Sequence, residues 1–394
     1  MARNYRIYDE AHARAIKLME SHPFIDGHSD LPLVIRTDPQ ARGDVVAYRL
    51  DHDLPERDTD IPKLQRGLVG GQIWAAFPGL ELGPPWAITL EQIELIAQLP
   101  EKYPGAFLAA YKSSDIAVAK SEGKIASIIA VEGGVGLDNR PSLLATWYRL
   151  GVRLFTLCHN ESLDWVDSAT DEAKSGGLSE LGKEIVREAN RLGIIVDCAH
   201  ISADAMHHVL DTSSAPVVFS HSNAFSLTDH PRNVPDDVLD RIAENGGMIM
   251  ATFVPYFLSQ ASCDWYRDGI HDEYGKTPSV LFDPNCENPS LFSDTPANMI
   301  AAMEEQKGTK WVSGDLFDLV DHIEYLAARI GVDHLGIGSD FYGGAAAPGM
   351  ETVECYPFIF AELIRRGWQE DDLIKISYQN FVRVFAAVED VASR

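Results

Sequence analysis

Five cysteines in 394 residues, odd in number, scattered and never in a C-x-x-C arrangement, exclude a disulfide framework and a thiolate zinc site. Two of the five, Cys158 and Cys198, sit inside apolar runs, where a small buried hydrophobe is the expected role. Basic charge is also scarce. Lys and Arg number 33 against 59 Asp and Glu, a formal net charge of -26, and no Lys/Arg-rich run occurs. That balance excludes nucleic acid and anionic membrane as partners; a well solvated surface accounts for it. No uninterrupted apolar run approaches membrane-spanning length. The N-terminal MARNYRIYDEAHARAIKL has no apolar stretch of signal-peptide length and the C-terminal VEDVASR has no greasy tail, so a soluble, cytoplasmic protein is expected. Neither an internal repeat nor a low-complexity tract nor a linker marks a domain boundary.

What is present is a large apolar content, 45%, in a chain with only 23% charged residues. Either one large barrel or two ordinary domains fits that length. Short runs rich in Val, Ile and Phe recur, each ending in polar or Gly residues and most followed by a helix-like segment. This is the pattern of parallel strands with helical crossovers. Eight runs stand out: FIDGHSD, LVGGQIWAAF, IASIIAVEGG, RLFTLCHN, IIVDCAH, PVVFSHSN, GMIMATFVP and HLGIGSDFYGG. Eight strands close a (β/α)8 TIM-type barrel, and residues 1–394 are read as one such domain. The intervening stretches carry caps and helical period. SELGKEIVREANRLG has Ser179 before Leu181, Ile185 and Leu192 and stops at Gly193, and FDLVDHIEYLAARIG puts Leu319, Ile323 and Leu326 on one face before Gly331.

Ionisable residues fall where barrel enzymes gather their chemistry, at the C-terminal ends of the strands. His28 and Asp30 end the first run, Glu132 the third, His159 the fourth, His200 the fifth, His221 the sixth and Asp340 the eighth. A lone histidine is usually structural, but four histidines and three acids converging on one face read as a site. Within FIDGHSDLP, His28 and Asp30 are two apart, which on an extended strand turns both side chains to one side. A polar surface turn would explain that pair alone. Nitrogen and oxygen ligands without sulfur suit zinc with an accessible water, and also manganese or cobalt. Two neighbouring ions need a shared ligand, and Glu132, between IIAV and Gly133-Gly134, is suited to bridge: His28 and Asp30 on one ion, His200 and His221 on the other. Between the seventh and eighth runs lies a long excursion, residues 258–312, holding CDWYRDGIHDEYGKTP and a helix-like NMIAAMEEQKG; a loop this long is expected to be a lid or specificity element.

Read in order, DGHSDLP, DTDIPKLQRGLVGGQIW, VEGG, RLFTLCHN, VDCAHIS, VVFSHSNA, RNVPDD, GIGSDFYGG and YPFIFAELIRRGWQEDDLIKISYQNFVRVF resemble the membrane dipeptidase (renal dipeptidase) family of zinc peptidases, a branch of the amidohydrolase superfamily. The resemblance covers nearly the whole chain. It implies two Zn2+ ions, the first held by His28, Asp30 and Glu132, the second by Glu132, His200 and His221. It also implies that His159 steadies an oxyanion, Arg232 grips the carboxylate of a dipeptide and Asp340 handles a proton. Asn233 and Tyr256 are placed with the substrate-binding residues, Asn233 doubling as a turn former. The expected reaction is hydrolysis of free dipeptides, L,L and possibly L,D, by a hydroxide bridging the ions, with Mn2+ or Co2+ as substitutes. Two features depart from the mammalian relatives: DFYGG stands where they look like DFDG, so Tyr342 replaces a second acid, and their excursion is absent or much shorter. Another amidohydrolase, such as a lactonase or cyclic amide hydrolase, usually begins H-x-H where this chain has H-x-D. A non-catalytic metal-binding barrel would have no use for Asp340 and His159. Small dipeptides are the expected partners; the oligomeric state is not legible, and a homodimer is compatible with the sequence.

Overall fold

The apolar runs fold as parallel strands whose order closes on itself. The computed structural model describes residues 3–79, 83–270, 301, 304–305, 307–344 and 346–392. Its strands are β1 (Phe24–Ser29), β2 (Val69–Ala76), β3 (Phe107–Ala109), β4 (Ile125–Glu132), β5 (Val152–Thr156), β6 (Ile195–Asp197), β7 (Val218–Phe219), β8 (Met248–Ala251) and β9 (Leu335–Ile337). Pairing runs β2-β1-β9-β8-β7-β6-β5-β4, and β4 returns to β2, completing an eight-stranded parallel barrel with helical crossovers. The (β/α)8 expectation is met strand for strand. The extra strand, β3, lies outside the barrel: it pairs with Ile125–Ser127 of β4, below the point at which β5 takes over at Ile129. At three residues, FLA was too short to show a period.

Both faces of these strands are covered, which is why they read as continuous apolar runs and not as alternation. Every residue of β1 and of β4 is buried. One apolar cluster takes Ile25, Ile73, Ile128, Leu154, Ile195, Val218 and Met250, one from each of seven barrel strands, and therefore fills the lumen. Phe381 and Phe385, on the helix Asn380–Ala392, join this cluster. The larger cluster forms the outer layer between strands and helices. In the helix Glu180–Leu192, Ser179 accepts from the Gly182 N–H and Gly193 ends it at φ 83°. In Leu316–Ile330, Asp315 and Asp318 form a reciprocal capping box and Leu319, Ile323 and Leu326 are buried. Among the described residues no helix is long and apolar enough to cross a membrane.

Of the excursion 258–312, the described parts are 258–270, which include the helix Gln260–Ile270, then 301, 304–305 and 307–312; residues 271–300, 302–303 and 306, with part of NMIAAMEEQKG, lie outside the described residues. The two described ends are laced together. Trp265 Nε1 donates to Thr309 Oγ1 at 3.0 Å and Trp311 Nε1 to the Tyr266 hydroxyl at 3.3 Å.

Close approach inside the barrel is permitted by glycine at two positions. A Cβ on Gly27 or on Gly338 would overlap the Ser220 carbonyl oxygen, so β1 and the end of β9 reach the end of β7 only because both residues lack one. Gly338→Ala is expected to cost at least the roughly 1–3 kcal/mol typical of overpacking, because the obstacle is backbone and cannot rotate away. Urea unfolding of the variant checks this; parental stability would mean that the strand ends shift freely.

Candidate metal centre

Where the strands end, their last residues turn polar side chains onto one spot. His28 lies in the final turn of β1, and the β1–β2 register shifts between Asp26 and Ser29. Asp30 follows the strand as the residue before the helix Leu31–Thr37, its N–H donating to the Phe341 carbonyl at 2.9 Å. Glu132 is the last residue of β4. His200 and His221 follow β6 and β7 by two or three residues, and His200 holds the left-handed φ of 72°.

The carboxylate of Glu132 is the hub. Its Oε1 lies 3.0 Å from His200 Nε2 and 3.5 Å from His221 Nε2, while Oε2 lies 3.4 Å from His28 Nε2. His28 Nε2 is also 3.6 Å from Asp30 Oδ2 and 3.8 Å from Asp340 Oδ1. His200 and His221 face each other nitrogen to nitrogen, Nε2 to Nε2, at 2.8 Å. Both ring nitrogens of His28 and Oδ1 of Asp30 are buried without a hydrogen-bond partner among the described residues. Buried polar atoms are rarely left so. A cation among them satisfies the set, and three overlapping groups, His28/Asp30/Glu132, Glu132/His159/His200 and His28/His221/Asp340, have ligand atoms close enough to hold one.

Electrostatics lead to the same chemistry. Burial, helped by Arg232, drives the His200 imidazole well below its ordinary pKa, and burial with His28 does the same to His221; both are neutral, the ligand form. Burial opposes charge on His28 too, but Glu132 and Asp30 outweigh it and raise its pKa well above the usual value. Glu132 is pushed up by burial, and Asp340 is pushed up to about 8 by burial together with Asp30 and Glu132, against the pull of His28 and Arg232. Glu132 and Asp340, short of positive charge in this site, are thus shifted toward the protonated form.

The remaining expected residues gather around this hub. His159 is half-buried, with its ring 4.4 Å from those of Phe77 and His200, and burial lowers its pKa to about 3, so it is neutral. Asp340 takes φ 65°, and a Cβ on Gly343 would collide with its carboxylate. Tyr342, also left-handed at φ 71°, turns away from the hub: its hydroxyl accepts the Thr59 N–H at 2.9 Å. Arg232 is buried, its guanidinium 5.4 Å over the Phe257 ring, and its Nη1 has no partner among the described residues. Tyr256 stacks on Tyr266 at 4.3 Å, and both Asp340 and Arg232 act on its hydroxyl, whose pKa burial raises. Asn233 is different. Its Nδ2 is spent on the Thr228 and Phe257 carbonyls at 3.0 and 2.9 Å, which makes it a brace of the loop; only Oδ1 is left without a partner.

Two further aspartates escaped the sequence reading. Asp26 accepts from Gln72 Nε2, Ser339 N, Ser339 Oγ and the Tyr356 hydroxyl at 2.6–2.9 Å, binding β1 to β2 and to the turn after β9. Asp197 accepts from Thr156 Oγ1, Ser220 N and Ser220 Oγ at 2.6–2.8 Å, binding β6 to β5 and β7. Their signal was an acid in the middle of an apolar run, FIDG and IIVDC.

Comparison with known proteins agrees with this geometry. Residues 12–394 match the family model for membrane dipeptidase, peptidase family M19. The chain is 33% identical to the dipeptidase verJ of Clonostachys rogersoniana, covering 98% of this chain and 90% of that one. It is 34% identical to the dipeptidase tcpJ of Claviceps purpurea, over 93% of this chain and 77% of that one. Among solved structures, a probable dipeptidase, PvdM, of Pseudomonas aeruginosa superposes with a TM-score of 0.81 at 26% identity, covering 98% of this chain and 100% of that one. A metallopeptidase of Rhodobacter sphaeroides, liganded with a phosphinate mimic of the dipeptide L-Ala-D-Ala, shares the fold at a TM-score of 0.73 and 21% identity over 93% of this chain and 99% of that one. The chain belongs to the membrane dipeptidase family, peptidase family M19, and is a metal-dependent dipeptidase.

Proposed function

We propose that this dipeptidase works with two divalent cations, zinc with Mn2+ or Co2+ as substitutes, and cleaves free L,L and L,D dipeptides. One observation carries the binuclear reading: the two oxygens of Glu132 face different ligand sets, Oε2 toward His28 and Oε1 toward His200 and His221. His28, Asp30 and Glu132 would hold one ion; Glu132, His200 and His221 the other. When bound, the ions supply a water of lowered pKa and a Lewis acid for the carbonyl oxygen. Bridging needs an ionised Glu132, and cations in place of protons would keep it so.

The chain's own groups do the rest. Asp340, whose carboxylate lies 3.8 Å from His28 Nε2 at the edge of the hub, takes the proton of the attacking water and returns it to the leaving amine. His159 donates a ring N–H to the carbonyl oxygen as charge grows there. Arg232 meets the substrate carboxylate with its free Nη1, its planar fork suited to both oxygens, and Tyr256 keeps its proton and donates beside it. Cytoplasmic residence remains our reading, supported by Cys158, Cys198, Cys263 and Cys355 being free thiols.

Elemental analysis of the active enzyme is expected to give two ions per chain, and Glu132→Gln to weaken both together. A single ion in a fully active sample would refute the bridge. Asp340→Asn is expected to retain the ions and lose roughly 10²- to 10⁴-fold in turnover; near-parental kcat would mean another proton carrier. The third prediction concerns Arg232. Dipeptides amidated at the C-terminus should be very poor substrates, L-Ala-L-Ala and L-Ala-D-Ala good ones. Arg232→Met should abolish the preference for acid over amide with the ions in place, since truncating one partner of a desolvated charge pair costs about 2–5 kcal/mol. Similar kcat/KM for acid and amide in the parent would remove Arg232 as the anchor.

A further inference from the structure

We propose that Ser220, held by Asp197, is a positioning residue that fixes the tautomer of His221 and thereby sets the affinity of one metal site. This rests on the reading of His221 as a ligand. Ser220 Oγ lies 2.6 Å from Asp197 Oδ2 and 2.7 Å from His221 Nδ1. Asp197 is served by other donors as well: Thr156 Oγ1 at 2.6 Å on Oδ2, with Ser220 N at 2.8 Å and Ala199 N at 3.1 Å on Oδ1. A carboxylate surrounded by donors only accepts, so the hydroxyl hydrogen of Ser220 goes to Asp197. Its oxygen is then the acceptor for His221. The hydrogen of the imidazole is thereby held on Nδ1, and Nε2 is left as a bare lone pair.

That lone pair points into the hub, 3.5 Å from Glu132 Oε1 and 2.8 Å from His200 Nε2. His200 is set the same way by a different partner, with its Nδ1 3.3 Å from Asn160 Oδ1. Two bare nitrogens and a carboxylate oxygen repel one another in a dry site and attract a cation. Ser220 cannot drift out of this chain of contacts, because its carbonyl is wedged against Gly27 and Gly338. The hydroxyl is therefore placed by the barrel's closest backbone approach, and the imidazole by the hydroxyl.

The test reads metal affinity. Metal-free protein is titrated with Zn2+ against a fluorescent chelator for the parent, Ser220→Ala, Thr156→Val and His221→Ala. Loss of a partner that orients a ligating histidine typically weakens binding about 10- to 100-fold. Ser220→Ala should do this to one ion and spare the other, while Thr156→Val, which removes a donor to Asp197 but leaves the relay, should bind as the parent does. Equal losses in Ser220→Ala and Thr156→Val would reduce Asp197 to a strand tie and overturn the relay. Parental affinity in Ser220→Ala alongside a lost ion in His221→Ala would overturn it too, whereas parental affinity in His221→Ala would remove His221 as a ligand and the relay with it. Should Ser220→Ala fail to fold, ¹⁵N-histidine NMR of the metal-free parent decides. The relay requires His221 protonated on Nδ1, and a hydrogen on Nε2 refutes it.

Discussion

The arrangement of the whole strand-end surface follows from one buried carboxylate. Glu132 closes β4 with 2% of its surface exposed, ringed by the Nε2 atoms of three histidines at 3.0–3.5 Å. A carboxylate taken out of water at such a place must be neutralised or countered. With His200 and His221, which follow β6 and β7, held neutral and only His28 inclined to charge, the chain's own groups counter it incompletely. The raised pKa values of Glu132 and Asp340 express that shortfall. On the proposed reading, a divalent cation held by these residues would remove it.

Holding such a cluster requires the strand ends to be immobile, and the structure does this with a second tier of acids. Asp26 and Asp197 are buried in the wall, each accepting from hydroxyl and amide donors of neighbouring strands, the turns that follow them and, for Asp26, the helix that begins at Tyr356. They fix backbone where the side chains above must converge. His200 and Asp340 sit in left-handed backbone, a conformation costing a non-glycine residue about 1–2 kcal/mol. That strain persists because the surroundings over-determine both turns. Ser168 contributes on one side, donating to the His159 carbonyl at 2.8 Å and lying 3.4 Å from the His200 carbonyl. On the other side Tyr342 pins the turn after β9 to Thr59, its hydroxyl turned away from the hub.

The barrel was legible because parallel strands covered on both faces cannot hide their apolar runs, and the helices between them carry plain caps at Ser179, Gly193 and Gly331. The hub was legible because chemistry in this architecture gathers at strand ends, so His28, Glu132, His200 and His221 could be picked out one run at a time. The strand argument for His28 and Asp30 was right about convergence, though Asp30 lies one residue beyond the strand. What stayed hidden was three-dimensional. Phe107–Ala109 is too short for periodicity, the chain from Asp197 through Ser220 to His221 spans two strands, and the employment of Asn233 Nδ2 by two carbonyls depends on a loop packing no spacing encodes.

Charge balance in the cleft links the proposed metals to the proposed substrate. Asp30, Glu132 and Asp340 supply three negative charges when ionised and Arg232 one positive, so once a cation displaces the proton that His28 tends to hold, the protein groups facing the cleft would stand near minus two. Two divalent cations would turn that to plus two. A cleft of that sign, walled by Phe77, Phe253 and Phe257, favours anions over zwitterions of no net charge only where the negative end can be reached separately. In a dipeptide the carboxylate lies one residue from the scissile carbonyl. In the proposed reading Arg232 would take that end while the hub takes the other, and its burial makes an unanswered guanidinium costly. On the proposed role of Arg232, the same cost would act against a substrate that leaves it bare and would tie the length of the substrate to the electrostatics of the site.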